Sequence, residues 1–358
     1  MEAALAALGE QIRAAAAAGT RLRVRAGGSK DFYGNAPLGT PLDPRALRGI
    51  VSYEPAELAL SVRAGTPLAE VEDTLAERGQ MLAFEPPHFG PEATIGGAVA
   101  SGLAGPRRAS AGFTYGGVRD FVLGAKLLDG RAQLLSFGGM VMKNVAGYDV
   151  ARLLAGSLGA LGVIVEVSLK VVPAPPVQVT LRFAIGEAAA LAQLNRWAGL
   201  PLPLSASAWH EDRLCLRLAG SGAAVAAAVQ TLAGERLGEH EAAQFWQQVR
   251  EQTHPYFAGQ TPLWRLSLPA TAPPLELPDP QFIEWGGALR WLRSERPAAE
   301  IRARAFELGG HATRFRGAGR MQDAFTPLSA PLAGIHRRLR AQFDPDGIFD
   351  AGRLVQGL

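Results

Sequence analysis

Glycine is crowded into four short segments, and all four begin in the first half of the chain: RAGGSKDFYG at 25–34, ATIGGAVASGLAG at 93–105, YGGVRD at 115–120 and GYDVARLLAGSLGALGVIVEV at 147–167. Glycine inside a regular element costs roughly 0.5–1 kcal/mol relative to alanine. Its usual justification is a left-handed φ or another group pressed against the main chain. The last segment sets glycines at 156, 159 and 162, where the pattern predicts an apolar helix handing over to an apolar strand. A Rossmann fingerprint needs G-x-G-x-x-G after a strand and at the start of a helix. Here the spacing is G-x-x-G-x-x-G at the end of a helix, so that site is a poor match. From the residues alone, either tight helix-to-strand packing or a phosphate cradle accounts for it. Four such loops together favour the cradle, because a pyrophosphate in a partly dry cleft needs several N–H donors at close range.

The 358 residues allow two domains, and 48% hydrophobic with 19% charged content is ordinary for a globular chain. The net charge of +3 is nearly all arginine, with lysine only at 30, 126, 143 and 170, and no basic patch for nucleic acid stands out. Cys215 is the only cysteine, which excludes an intrachain disulfide and a cysteine-ligated iron–sulfur cluster. The N-terminal MEAALAALGEQIRAAAAAG lacks a basic n-region, and no apolar run reaches the length of a membrane span. The expected location is cytoplasmic, with attachment at the inner face of the cell membrane through a complex as the alternative.

Along the chain, residues 3–18 predict an alanine-rich helix with Leu5, Leu8 and Ile12 on one stripe, followed by the short strand RLRVRA. LRGIVSYEPAELALSVRAGT predicts a strand pair, then a helix with Thr66 as N-cap and Pro67 at its first position, carrying Leu68, Val71 and Leu75 and stopped by Gly79. MLAFEPP reads as a strand, and DFVLGAKLLDGRAQLLSF as a hairpin turning at Asp129-Gly130. VVPAPP at 171–176 marks a boundary. Beyond it, VQVTLRFAIG, SASAW, LCLRLAG, LWRLSLPA, QFIEWGGALRWLR and ATRFRG alternate with helices through Leu191, from Ala223 and over EIRARAFEL, the pattern of an antiparallel sheet covered by helices.

The order R-x-G-G, T-I-G-G-A, Y-G-x-x-R-D, K-N-x-x-G-Y-D and L-L-x-G-S-x-G-x-L-G-V-I resembles the FAD-binding domain of the vanillyl-alcohol oxidase superfamily, the PCMH type, over about the first 175 residues. The tail FDPDGIFDAGRL at 343–354 is similar to the closing D-P-x-G-I-F-N-P-G-R of that family. LWRLSLP, EWGGALRW and GGHATRF resemble the GlcE-type FAD-binding subunits of bacterial glycolate oxidases. The resemblance implies an α+β chain: a two-subdomain FAD-binding domain at 1–175, an antiparallel α+β cap domain at 176–342, and a tail at 343–358 that returns to the first domain. It implies noncovalent FAD, with Ala26, Gly27, Gly28, Ser29, Lys30 and Asp31 around the pyrophosphate. Thr94, Gly96, Gly97 and Gly102 would approach from the other side, with Tyr115, Gly116 and Arg119 nearby. Gly156, Ser157, Gly159, Gly162, Val163 and Ile164 would lie against the nucleotide, and Arg353 would contact it from the tail. The chain departs from the pattern at Leu158 and Ala160, where relatives carry Glu and Thr, and at Asp350-Ala351, where Asn-Pro is common.

Hydroxy-acid relatives often carry G-H-x-G-D-G-N-x-H, whose two histidines can hold a metal. GGHATRFRG keeps only His311, and histidines 88, 210, 240, 254 and 336 form no metal-ligating pair in sequence, so no metal is expected. Arg314 and Arg316 are candidates for a carboxylate, with a solvated sheet face as the competing explanation. No catalytic residue is assigned. IHRRLRAQF predicts a helix with Ile335, Leu339 and Phe343 inward and arginines outward, a surface or partner-binding helix. The implied function is oxidation of glycolate to glyoxylate beside a larger FAD-containing subunit and an iron–sulfur subunit. A self-sufficient hydroxy-acid or alcohol dehydrogenase and a non-catalytic assembly subunit are the alternatives.

Overall fold

The computed structural model describes residues 2–108, 116–139, 148–317 and 322–355. The first helix, Glu2–Ala18, buries Leu8, Ile12 and Ala15 at helical spacing. They pack on Leu22, Leu42, Leu128 and Val163 and on Ile348 and Phe349 of the tail. Strand Leu22–Val24 runs parallel to Thr40–Leu42, and the tail joins them: Leu22 N–H donates to the Ile348 carbonyl at 2.7 Å and Asp350 N–H to the Leu22 carbonyl at 3.0 Å.

A five-stranded antiparallel sheet follows, in the order Ile50–Glu54, Ala59–Arg63, Val163–Lys170, Val122–Leu128, Leu134–Gly138. Its central strand VIVEVSLK is apolar because both faces are covered. One face closes on helices Leu68–Ala76 and Ile95–Ser101 through Leu60, Val62, Leu68, Val71, Ile95 and Val167. Each such side chain contributes about 1.5–3 kcal/mol on burial, so an acid at the fully buried Val167 would break this layer.

The second half forms an eight-stranded sheet in the order Glu235–Arg236, Val177–Ala184, Arg213–Gly220, Leu204–His210, Gln281–Glu284, Leu289–Arg293, Leu263–Ser267, His311–Arg316. Every neighbouring pair is antiparallel. Helices Glu187–Ala198, Gly222–Leu232 and Ala298–Glu307 cover one face through Leu191, Leu194, Val225 and Ile301. On the other face Phe282, Leu289, Trp291 and Phe315 meet Tyr33 and Leu103 of the first half in one shared core. That seam sets the cap sheet over the loops that carry the glycines.

The strand pair, the hairpin, the first helix and the main cap strands follow the sequence pattern. Several details do not. The helix at 68 is capped by Pro67 without a side-chain bond. Thr66 is used one turn earlier, donating to the Arg63 carbonyl at 2.7 Å and accepting from Gly49 N–H at 2.9 Å. That helix ends at Ala76, before Gly79. Of MLAFEPP only Met81 belongs to a strand, Gln80–Met81, since Glu85 takes a left-handed φ. The expected helix before Val163 is a four-residue 3-10 turn, Ala151–Leu154. Helix Glu239–Glu251 escaped the sequence reading, although its acidic first turn and the inward Trp246 and Val249 at i, i+3 mark it. In Ala330–Phe343, Phe343 is buried while Ile335 is 51% exposed, so the inward stripe is shorter than predicted.

Candidate cofactor site

A cleft in the first half is lined by Ala26, Gly27, Gly28, Ser29, Lys30 and Asp31 on one side, by Thr94, Gly96 and Gly97 on a second, and by Gly159, Gly162 and Ile164 on a third, with Arg353 at one end. Sequence segments up to some 320 residues apart are thereby brought to one place. Val24, Arg25, Pro44, Ala64, Glu92, Ala100, Ser101 and Leu158 complete the lining, and the sequence reading did not anticipate these.

The first loop is built to present donors. Arg25 N–H donates to the Leu42 carbonyl and Asp31 N–H to the Gly28 carbonyl, which fixes the ends. Between them the amides of residues 26–30 donate to no protein group among the described residues. Residues 26–29 are half-buried and Lys30 is buried, and a run of successive backbone donors left free along one cleft wall is the chemistry of an anion cradle. Gly27 is bare because a Cβ would strike the Glu92 carbonyl, and Gly28 takes φ +70° with the Arg25 guanidinium in the way. Arg25 pairs with Asp31 at 2.6 Å. Lys30 is 8% exposed and gives hydrogen bonds to the His88 carbonyl at 3.1 Å and the Ser29 hydroxyl at 3.3 Å. Burial lowers its pKa to about 8, against the opposing charge of Glu251.

Thr94 caps helix Ile95–Ser101, its hydroxyl accepting from Gly97 N–H at 3.2 Å. Gly96 sits against Ala64, whose Cβ would lie 2.5 Å from an added Cβ. Gly97 faces the cleft, and an added Cβ would meet only Thr94 Oγ1 at 3.2 Å. Gly102 closes that helix at φ +64° with the main chain of Gly156 3.0 Å from where its Cβ would be. Both glycines serve this crossing and neither lines the cleft. Ser157 is buried beside it, with its N–H bonded to the Leu154 carbonyl.

The spacing of 156, 159 and 162 thus has a mixed origin. Gly159 holds φ +80° with Val24 Cβ 3.0 Å from an added Cβ, and Gly162 holds φ +142° with the Leu128 carbonyl at 2.5 Å. Their bareness is imposed by protein packing, and the turn so formed makes one wall of the cleft. Ile164 faces the cleft, whereas Val163 points to the opposite face, into the core with Leu8 and Ile12, because successive strand residues alternate. The expectation that both would face a nucleotide is corrected there.

Tyr115 lies outside the described residues. Gly116 is away from the cleft, kept bare by the Asp120 carboxylate that would strike its Cβ. Asp120 accepts from Gly117 N–H at 2.8 Å, and no Arg119–Asp120 ion pair forms among the described residues; Arg119 is exposed and apart from the cleft. Arg353 is 7% exposed and spends its guanidinium on the Lys30 carbonyl at 2.8 Å and the Tyr33 carbonyl at 3.2 Å. It clamps the donor loop from the tail, and burial lowers its pKa. Arg316 stacks its guanidinium 4.4 Å from the Phe32 ring and 5.1 Å from Phe89 at the seam, and burial lowers its pKa to about 10. Among the described residues, no three His, Cys, Asp or Glu side chains gather as a metal-ligating group.

A family model described as FAD binding domain matches residues 4–138. The chain is 48% identical to the glycolate oxidase subunit GlcE of Escherichia coli (strain K12) over 352 residues, covering 98% of this chain and 97% of that one. It is 30% identical to a D-2-hydroxyglutarate dehydrogenase of Xanthomonas citri pv. viticola over 173 residues, 48% of this chain and 36% of that one. Among solved structures, p-cresol methylhydroxylase with substrate bound superposes with a TM-score of 0.67 at 15% identity, covering 96% of this chain and 85% of that one. An alkyldihydroxyacetonephosphate synthase gives a TM-score of 0.64 at 14% identity, covering 95% and 74%. These two likenesses show a shared fold.

Proposed function

The chain belongs to the family of FAD-binding proteins that contains the glycolate oxidase subunit GlcE, and from that membership we propose that it acts as the FAD-binding subunit of a glycolate-oxidising complex. The observation that carries the reading is the run of free amides at 26–30, opposite Gly97 and Ile164. They would hold the pyrophosphate, Lys30 adds a positive charge at neutral pH, and Arg353 keeps the loop in place. Oxidation of glycolate to glyoxylate removes a hydride equivalent from the carbinol carbon and a proton from its hydroxyl. When bound, FAD supplies the two-electron acceptor.

Among the described residues no histidine or cysteine side chain lines the cleft, which supports noncovalent attachment. Cys215 is buried in the seam, its thiol pushed up to about 11 mainly by burial. A single cysteine cannot ligate a cluster, so the onward electron relay belongs to another chain. The partners in this reading are a larger FAD-containing hydroxy-acid dehydrogenase subunit and an iron–sulfur subunit, with the cytoplasmic complex resting at the inner face of the membrane. Among the described residues no helix is long and apolar enough to cross a membrane. The FAD-binding unit is taken as 1–175, the cap as 176–342, and 343–358 as the returning tail, in line with the separate sheets and the Leu22–Phe349 bridge.

The test is coexpression with the two partners, followed by flavin and iron counts per chain and dye reduction with glycolate. About one acid-extractable flavin per chain, with turnover by the complex and little by the chain alone, is expected. Robust turnover by the flavin-loaded chain alone would instead make it an independent dehydrogenase, and a colourless chain would make it an assembly subunit.

A further inference from the structure

At the seam the cap sheet turns one face toward the glycine loops, and strand alternation decides what it presents. Trp264 and Leu266 bury on the helical side, so Arg265 between them faces the seam. Trp285 stands at the turn between strands Gln281–Glu284 and Leu289–Arg293, 3% exposed and held at φ +53°. A left-handed φ is unfavourable for so bulky a residue and persists only where its surroundings fix it. What fixes it is the indole N–H, which donates to the Gly105 carbonyl at 3.0 Å, three residues beyond the Gly102 cap. The ring is thereby mounted across the seam as a rigid plate.

Two guanidiniums rest on this plate. The Arg108 carbon lies 4.4 Å from the ring centre and that of Arg265 lies 5.3 Å away. Neither makes a hydrogen bond or ion pair with any described residue. A guanidinium is all donor and no acceptor, so on these two half-buried side chains the donors are left open to a ligand. They also oppose each other: burial and then the charge of Arg265 lower the pKa of Arg108, with Asp120 acting against this. Around Arg265 stand Tyr33, His311 and Glu284. Burial raises the Tyr33 phenol and lowers the His311 imidazole, the charge of Arg265 reinforcing the latter. Burial raises Glu284 to about 7. Near neutral pH this corner is therefore an excess of positive charge among tyrosine, histidine and a partly protonated carboxyl. Leu158 lines the glycine cleft and also packs on this core, so the two places share a wall.

We propose that Arg108 and Arg265, mounted on Trp285, form the carboxylate subsite for a small 2-hydroxy acid, so that this chain meets the substrate itself and does not only pass electrons on. The inference rests on the hydroxy-acid reading above and adds the residues and the division of labour. A planar carboxylate matches the guanidinium fork. The tight aromatic surroundings of Trp285, Trp291 and Phe315 favour a small acid over a bulky one.

The test uses the FAD-loaded full chain, coexpressed with its partners, and oxalate as a carboxylate probe that the reaction cannot consume. Binding is followed by calorimetry and by perturbation of the flavin spectrum, with ethylene glycol as the uncharged control. Arg108→Met and Arg265→Met should each weaken oxalate at least tenfold while keeping full flavin content, Arg265→Lys should recover part of the loss, and ethylene glycol should give no signal. Oxalate affinity within twofold of wild type in both Met variants would overturn the proposal. So would no oxalate binding by the FAD-loaded wild type, or loss of flavin from the Met variants, which would assign the arginines to the cofactor. Absence of flavin from the wild type would instead remove the reading on which the inference rests. If a Met variant does not fold, an unchanged oxalate affinity in Arg265→Lys together with Arg108→Lys counts against the subsite, and a graded loss counts for it.

Discussion

Two glutamates, Glu85 half-buried and Glu284 buried, occupy the seam between the sheets and end in opposite states. Glu85 accepts from Arg217 at 2.8 Å and pairs with Arg107 at 3.3 Å, and Arg107 also reaches Gln178. Burial alone would raise its pKa, but the two guanidiniums outweigh it and hold the carboxyl at about 2. Glu284 is 4% exposed and accepts from the Trp291 indole at 2.6 Å, its one hydrogen-bond donor among the described residues. There burial wins, and the carboxyl rises to about 7. Glu85 is the more exposed of the two, with 18% of its side chain accessible, but burial pushes both carboxyls up, and it is the paired guanidiniums that bring Glu85 down. Where every charge has a partner the seam acts as a lock. Around Trp285, where donors are left over, it has the makings of a binding site.

The largest effect should come from opening the lock. Glu85→Gln strands Arg107 and Arg217, and removing one partner of a buried ion pair costs about 3–5 kcal/mol. Because the pKa of Glu85 is depressed in the fold, its contribution is present above the unfolded value near 4.5 and disappears as pH falls through about 2. Denaturation at pH 7 and at pH 3 measures both statements. A loss under about 1 kcal/mol at pH 7 would show that the halves are held elsewhere.

The second effect has the opposite sign. Glu284 has a raised pKa, so the stability tied to its protonated form is fully present below about 4.5 and is lost as pH rises through about 7. Glu284→Gln keeps an acceptor for the Trp291 indole and cannot ionise. The variant should therefore match wild type at pH 4.5 and exceed it by up to about 3 kcal/mol at pH 8. Equal melting temperatures for both proteins across that range would show that Glu284 is not held neutral, and the contrast with Glu85 would fall.

Much of the scaffold was readable in sequence because period and punctuation are local. The alternation in LRGIVSYEPAELALSVR and the alanine-rich stripe at Leu8 and Ile12 each point to one element, and the structure agrees. Thr66 was misread because its hydroxyl chose between two nearby backbone groups, and only the fold sets which is closer. Within the glycine segments, sequence found the cleft but could not divide labour among its members. Gly159 and Gly162 answer to Val24 and Leu128, while Gly97 faces open space, and this depends on contacts between distant segments. The seam was hidden for the same reason. Arg108, Arg265 and Trp285 belong to three stretches with no common motif, and only the crossing of the cap over Gly105 gathers them.

Gly97 offers the smallest disturbance and the sharpest separation of fold from site. It lies in helix Ile95–Ser101 with an ordinary negative φ, so alanine there lowers the entropy of the unfolded chain and strains nothing in the backbone. The only neighbour of the new methyl group is Thr94 Oγ1 at 3.2 Å, the oxygen that caps the same helix, and a shift of a few tenths of an ångström relieves it. These terms oppose each other, so Gly97→Ala should change stability by less than about 1 kcal/mol and leave the far-UV circular dichroism unaltered. The methyl group nevertheless enters the space facing the amides of residues 26–30, and Gly97→Val fills more of it. Flavin absorbance per chain should therefore fall from wild type to alanine to valine while the folded fraction stays constant. Gly159→Ala is the counter-case: its cost lies in a left-handed φ and in Val24, so it should lose stability along with flavin. Full flavin content in Gly97→Val would mean that the cofactor does not pass over this helix, and the assignment of the cleft would fail.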